Sequence, residues 1–255
     1  MENFSIKLFI CFSAKDRYDI VQPVVYHLKN YDIHVWYDRY EMVMGDDRIE
    51  KNLGDGAKRC RYALIILSAN TISSLCATEE IKILESRYNR GEVVIFPVLY
   101  ELEPSNIPPE FGWIKKLIFK EVDRATGTLE ICNHIACRIT QDMLSCCKYR
   151  TIKEIAYADL PLPKSVSTLL NKYIQIDYAN LNSRVAVLYA IYVIIAESCD
   201  LTMVPLCEVP TNVFERLFAE TLLNLTVDYR ELWLLENSLC ILVNYYCTYC
   251  TESKI

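Results

Sequence analysis

Tyr62-Ala63-Leu64-Ile65-Ile66-Leu67-Ser68, followed by Leu75-Cys76-Ala77-Thr78-Glu79-Glu80, is the stretch on which the fold turns. A short, nearly continuous apolar run reads as a strand buried on both faces. The second segment opens a helical pattern through Ile81, Leu84 and Tyr88. An acidic pair therefore stands near the start of a helix, beyond the carboxyl end of a central strand. In open α/β sheets, ligands bind at that edge.

Working outward, other strands and helices alternate with this pair. Residues 5–12 read as a first strand, and Ser13 or Asp16 is placed to cap a helix over 17–30. Residues 33–37 read as a second strand, ended by Asp38. A polar loop, Arg39 to Asp46, holds Gly45, and a helix over about 47–60 leads back to the central strand. Downstream, a helix over 76–89 stops at Gly91, a fourth strand covers 93–100, and Leu117-Ile118-Phe119 reads as a short fifth strand. A long amphipathic helix follows at 128–147. This alternation predicts a doubly wound parallel sheet of α/β class. After Leu160-Pro161-Leu162-Pro163 no strand signal remains. Helices are expected at about 164–174, 182–198, 211–226 and 229–250, with breaks near Pro205 and Pro210. The reading is therefore two domains, 1–150 and an all-helical appendix, 151–255.

Composition narrows the function classes. The 255 residues carry 27 basic and 33 acidic side chains, a net of -6. Residues 151–255 account for 7 basic and 12 acidic of these, so neither part has the basic face of a nucleic-acid binder. Most of the 12 cysteines lie inside apolar patterns and read as reduced thiols in a cytoplasmic protein. Cys247-Thr-Tyr-Cys250 is a lone CxxC, short of the four ligands a zinc site needs, so no metal is expected. Val185 to Ala196 is too short an apolar run to span a bilayer and reads as a buried helix.

The boxes of the first domain resemble the Toll/interleukin-1 receptor (TIR) domain family. They are Phe9-Ile-Cys-Phe-Ser13 with Asp16, then Val35-Trp-Tyr-Asp38 with Glu41, Met42 and Gly45. Ala57-Lys-Arg-Cys-Arg-Tyr62 follows, entering Leu64-Ile-Ile-Leu-Ser68. Ser74-Leu-Cys-Ala-Thr-Glu79 is read as the family's S-x-W-C-x-x-E, and Phe96-Pro-Val-Leu-Tyr-Glu-Leu-Glu-Pro104 closes the set. The resemblance covers roughly residues 4–145 and implies a flavodoxin-like, five-stranded parallel sheet with flanking helices. One departure is noted: Leu75 is taken to stand where the family has tryptophan.

The resemblance implies one of two functions. Some TIR domains only assemble with one another as adaptors. Others cleave NAD+ at the nicotinamide–ribose bond, as in the bacterial proteins similar to the TIR component of Thoeris antiphage systems. In that second class the implied catalyst is Glu79, to which the spacing is counted, and not Glu80. The bland alternative makes both of them solvated acids of a first helical turn. By family position, Phe12, Ser13, Lys15, Trp36, Asp38 and Leu75 are the implied substrate contacts. Lys15 is either a phosphate ligand or an exposed turn lysine, and Trp36 either pocket wall or core. Arg39, Met44 and Gly45 lie in the loop implied to carry self-association. No cofactor is implied, since NAD+ is a substrate. A phage-derived trigger, a diffusible ADP-ribose-derived product and a separate effector complete the expectation. A phosphoacceptor receiver is disfavoured, because Ser68 stands where the third strand would need an aspartate.

Overall fold

The computed structural model describes residues 7–47, 50–201, 205–222 and 227–250. They fall into two compact units, one within 5–29 and 33–135, the other within 30–32 and 136–255.

The first unit is built on a five-stranded parallel sheet of order β2-β1-β3-β4-β5. Its strands are β1 Lys7–Cys11, β2 His34–Trp36, β3 Tyr62–Leu67, β4 Val94–Tyr100 and β5 Lys120–Val122. This is the flavodoxin-like strand order, in which the chain reverses direction of growth beside β1. Every residue of β3 is buried, as its unbroken apolar run requires of a strand covered on both faces. Side chains alternate between the faces. Phe9 and Cys11 of β1, Ala63, Ile65 and Leu67 of β3, and Ile95 and Leu99 of β4 form one buried cluster with Ala77, Ile81 and Leu84.

The connections are helical. From Ala14 the chain winds through two tight helical turns into α1, Gln22–Asn30. A single turn, α2, spans Asp38–Glu41. The segment expected as a helix over 47–60 is helical at Glu50–Ala57, with wide i→i+5 turns, while residues 48–49 of that expectation lie outside the described residues. Gly56 brings this segment hard against the sheet: a Cβ there would sit 2.6 Å from the Phe9 ring and 3.3 Å from Trp36. After β3 come the short α3, Ala69–Ile72, and α4, Leu75–Asn89. Ser74 caps α4 by accepting from the Ala77 N–H. Gly91, at φ +72°, closes its far end in the left-handed conformation glycine tolerates. α5 is Leu129–Leu144.

The fifth strand is displaced from its expected place. Leu117-Ile118-Phe119 is not paired; β5 begins at Lys120, opposite Val98. Leu117 and Phe119 pack against the core cluster, and Ile118 between them is 93% exposed. Hydrophobicity there marks an anchor before the ladder, not the ladder itself.

The second unit is helical: α6 Ile152–Tyr157, α7 Lys164–Tyr173, α8 Leu181–Ser198, α9 Pro205–Leu222 and α10 Tyr229–Tyr245. Pro205 starts α9 instead of breaking it, as a first-turn proline can, and Pro210 lies inside it. Residues 223–226 of the expected helix over 211–226 lie outside the described residues. α10 is the central element. It opens with a capping box between Asp228 and Glu231 and buries Leu232, Leu235, Leu239 and Leu242 against α6, α8 and α9. Over its 18 residues, α8 is long and apolar enough to cross a membrane by length and composition, at mean hydropathy 1.3. Its Val185, Leu188, Ile191 and Ile195 are buried within the unit. The expectation of uniformly reduced cysteines fails at one pair: Cys250 is bonded to Cys199, not left as a CxxC partner of Cys247.

Candidate functional site

A small cavity opens at the carboxyl ends of β1 and β2. Ile10, Phe12, Ala14, Arg17, Trp36, Asp38, Asn52 and Glu80 line it. Its space for water centres is about 20 Å³, room for a water or two.

Four elements deliver its polar groups. Asp38 arrives at the end of β2 and receives both arms of Arg17, Nη1 and Nη2 each at 2.6 Å. Arg17 also donates to the Tyr37 hydroxyl at 3.1 Å and stacks over the Phe12 and Tyr37 rings, at 5.0 and 5.4 Å. The Asp38 carboxylate, followed by Tyr37, holds the guanidinium proton more firmly than usual, against the opposing pull of burial. The loop before Arg17 is fixed from the other side. Asp16, buried, accepts from the Ser68 hydroxyl and the Asn70 amide, each at 2.6 Å.

Glu80 comes from α4 and is 96% buried, at 4% exposure. The Asn52 side-chain amide donates to its Oε1. The Cys11 thiol lies against it as well, and burial first and the charge of Glu80 second push that thiol well above its ordinary value. Cys11 is therefore a protonated, neutral neighbour at physiological pH. Trp36, packed 5.4 Å from Phe9, gives the cavity an aromatic wall.

The sequence expectations divide on this geometry. Phe12, Trp36 and Asp38 are brought together at the cavity. Ser13, Lys15, Leu75 and Glu79 are not among the residues that line it. Ser13 is buried and caps the turn that follows β1, and Lys15 is exposed. Leu75 is 83% exposed at the start of α4. Arg39, Met44 and Gly45 are exposed in the loop after β2, with Arg39 donating to the Tyr18 hydroxyl at 2.5 Å and Met44 fully solvent-facing.

The assignment of the acidic pair is corrected. Glu79 points to solvent, and Glu80 is the carboxylate in the cavity. One residue is about 100° of helix, so only one of the two can face inward. The motif had the signal. S-x-W-C-x-x-E is seven residues long, and seven residues from Ser74 end on Glu80; that count puts Cys76, not Leu75, at the tryptophan position. The helix pattern had it too. The buried stripe of α4 is Ala77, Glu80, Ile81, Leu84 and Arg87, and Glu80 sits on its i, i+3, i+4, i+7 spacing. Arg17 and Asn52 were missed altogether. Arg17 follows a turn, Asn52 lies in a polar segment, and neither carries a spacing that marks it.

Residues 8–128 match the TIR domain family model. That stretch of the chain is a TIR domain. Curated relatives are similar over comparable lengths of chain. The chain is 25% identical over 100 residues to the 2' cyclic ADP-D-ribose synthase AbTIR of Acinetobacter baumannii, covering 39% of this chain and 37% of that one. It is 26% identical over 99 residues to the 2' cyclic ADP-D-ribose synthase BtTIR of Bacteroides thetaiotaomicron, covering 39% and 34%. It is 26% identical over 96 residues to the NAD(+) hydrolase TcpA of a Theionarchaea archaeon, covering 38% and 29%. The chain thus spans about a third of the length of these relatives. Among solved structures, it is similar to the TIR domains of the activated Roq1 resistosome, at 24% identity and TM-score 0.38, covering 40% of this chain and 62% of that one. It is also similar to the TIR domain of a Toll-related receptor from Hydra magnipapillata, at 16% identity and TM-score 0.37, covering 45% and 82%.

Proposed function

We propose that this TIR domain cleaves the nicotinamide–ribose bond of NAD+, with Glu80 as the carboxylate that faces the sugar. The observation that carries the reading is the burial of this one acid in a cavity at the sheet's ligand-binding edge. Nicotinamide leaves NAD+ as a neutral molecule from a cationic precursor, so the leaving group requires no general acid. Positive charge then develops on the ribose. A carboxylate fixed beside that ribose binds the transition state more strongly than the ground state. One carboxylate suffices, unlike the pair that ordinary glycosidases use. Asp38 lines the same cavity, but the two-armed contact from Arg17 offsets its charge locally. Glu80 accepts from the Asn52 amide, which orients the carboxylate, and lies beside the neutral Cys11 thiol.

The cavity has room for water but not for a dinucleotide, so turnover requires it to widen. This is consistent with an enzyme that is silent until triggered. A phage-derived trigger, a cyclic or conjugated ADP-ribose product acting on a separate effector, and a cytoplasmic setting are the finer parts of the proposal. They draw on similarity to the cyclic ADP-ribose synthases.

A second reading, a non-enzymatic adaptor that works by TIR–TIR assembly, is favoured by the exposed apolar residues Tyr40, Val43 and Met44 after β2. Incubation of the purified chain with NAD+, with and without phage lysate, separates the two when nicotinamide is followed by chromatography. Release that is lost in Glu80→Gln and kept in Glu79→Gln is the expected result. No release under either condition, or release that survives Glu80→Gln, removes the enzyme reading.

A further inference from the structure

Asn52 lines the cavity, and the two ends of its side-chain amide differ. Its Nδ2 donates to Glu80 Oε1, while its Oδ1 is buried and has no hydrogen-bond partner. With Glu80 ionised, as the proposed chemistry requires, the carboxylate only accepts, so the amide nitrogen faces it and the amide oxygen turns away. A buried acceptor without a donor is uncommon in a folded protein and calls for an explanation. Here the acceptor belongs to a residue that lines the same cavity as Glu80. Two oxygen acceptors, one charged and one neutral, therefore stand beside each other at one site.

We infer that Asn52 is a substrate-contacting residue whose Oδ1 accepts a hydrogen bond from a ribose hydroxyl. Asn52 and Glu80 then hold the two neighbouring hydroxyls of the nicotinamide ribose, one acceptor to each. This rests on the reading of the site as one that cleaves NAD+, and it adds the sugar specificity. A vicinal diol supplies two donors on adjacent carbons, which matches a pair of acceptors tied together by the Asn52–Glu80 hydrogen bond. A deoxy sugar leaves one acceptor buried and unmet, the circumstance in which polar sites discriminate most strongly. Asn52 also fixes the Glu80 carboxylate, so it contributes to both binding and alignment.

The test couples a protein change to a substrate change. Wild type, Asn52→Ala and Asn52→Ser are assayed as full-length chain on NAD+ and on its 2'-deoxy and 3'-deoxy nicotinamide-ribose analogues, with thermal unfolding as the check on folding. On NAD+, Asn52→Ala is expected to lower kcat/KM about tenfold, the order of one lost hydrogen bond. On the analogue that lacks the hydroxyl Asn52 holds, the same substitution should change kcat/KM less than threefold. Asn52→Ser, smaller and hydroxylated, serves where the alanine variant unfolds, and the same contrast is expected of it. An equal loss on NAD+ and on both analogues means Asn52 only supports the fold or the Glu80 rotamer, and overturns the inference. Activity equal to wild type overturns it too. If wild type itself releases no nicotinamide, the NAD+ reading fails first and this inference falls with it.

Discussion

Two arginines in this chain are built into nearly the same device. In the sheet unit, Arg17 grips Asp38 and stacks on Phe12 and Tyr37. In the helical unit, Arg184 of α8 contacts Glu236 of α10 at 2.6 Å and stacks on Tyr173 and Tyr178, at 4.4 and 5.1 Å. The exposures match closely, 12% and 27% for the first pair against 10% and 23% for the second. Their desolvation costs are therefore similar. The difference lies in what stands behind each pair. Arg17 borders a cavity with room for water. Arg184 is backed by more protein: Tyr173 donates to the same Glu236 oxygen, and the Ile176 carbonyl accepts from Arg184 at 3.3 Å. One arginine closes a space and the other fills one. An ion pair by itself does not mark a candidate site; free volume beside it is the further sign.

The largest effect that sharpens this contrast belongs to the acid behind the first pair. Glu80→Gln is expected to lower nicotinamide release on the order of 10²-fold or more, the usual scale for a lost electrostatic contact to the reacting centre. Glu79→Gln, one residue away and solvent-facing, should stay within about twofold of wild type, since nothing of the site touches it. Chromatography of nicotinamide from NAD+ reads both. Equal losses would erase the distinction between the two acids.

Next comes the packed arginine. Arg184→Met leaves Glu236 without its cation among close neighbours and should destabilise the helical unit by about 3 kcal/mol. Hydrogen exchange of α7, α8 and α10 amides measures this locally. A paired Arg184→Met and Glu236→Met change should recover most of the loss, because an apolar pair of similar volume removes the stranded charge. If the single change leaves exchange untouched, the second cluster is no more structural than the first.

Alkaline pH gives a broader and smaller separation. In the helical unit, burial pushes the Cys147 and Cys247 thiols up to about 11 and that of Cys137 up to about 12. Burial also raises the Tyr192 hydroxyl to about 12. These groups hold their protons in the folded chain at pH values where the unfolded chain releases them. Their contribution is complete below about pH 8.5, the ordinary thiol value, and is lost as pH climbs toward 11–12. The urea midpoint of the helical unit should therefore fall between pH 8 and pH 10.5. A midpoint that rises over that range reverses the sign and refutes the account.

The smallest effect is expected at the cavity. Arg17→Met should cost about 1 kcal/mol of stability, because the cavity beside Asp38 has room for water to solvate the carboxylate left behind. Hydrogen exchange at β1 and β2 is the measurement. A loss as large as that of Arg184→Met would show that the two arginines are equivalent after all.

Much of the sheet could be read from the sequence, because burial on both faces leaves unbroken apolar runs at β1, β3 and β4. The fifth strand could not. Its pairing residues, Lys120–Val122, are mostly polar, while the apolar triplet before them anchors a descending loop. Three of the cavity's eight lining residues, Phe12, Trp36 and Asp38, were legible because they lie at strand ends. The acid in the cavity was missed by one position, and one position is about 100° of helix. Counting the full motif, or following the stripe from Ala77 to Arg87, would have landed on Glu80. Asn52 had no comparable signal, because its role comes from tertiary approach of the 50–57 segment to α4, which no local pattern encodes.

That approach hangs on a missing methyl. Because Gly56 has only hydrogen where Phe9 and Trp36 come closest, the 50–57 segment can settle deep enough for Asn52 to reach Glu80. Any larger residue at 56 would lift the segment like a shim under a hinge, loosening the amide's grip on the carboxylate without altering either group. The reach of Asn52 is thus set from beneath, at a residue with no chemistry of its own, and that is where a designer wishing to reshape the cavity would begin.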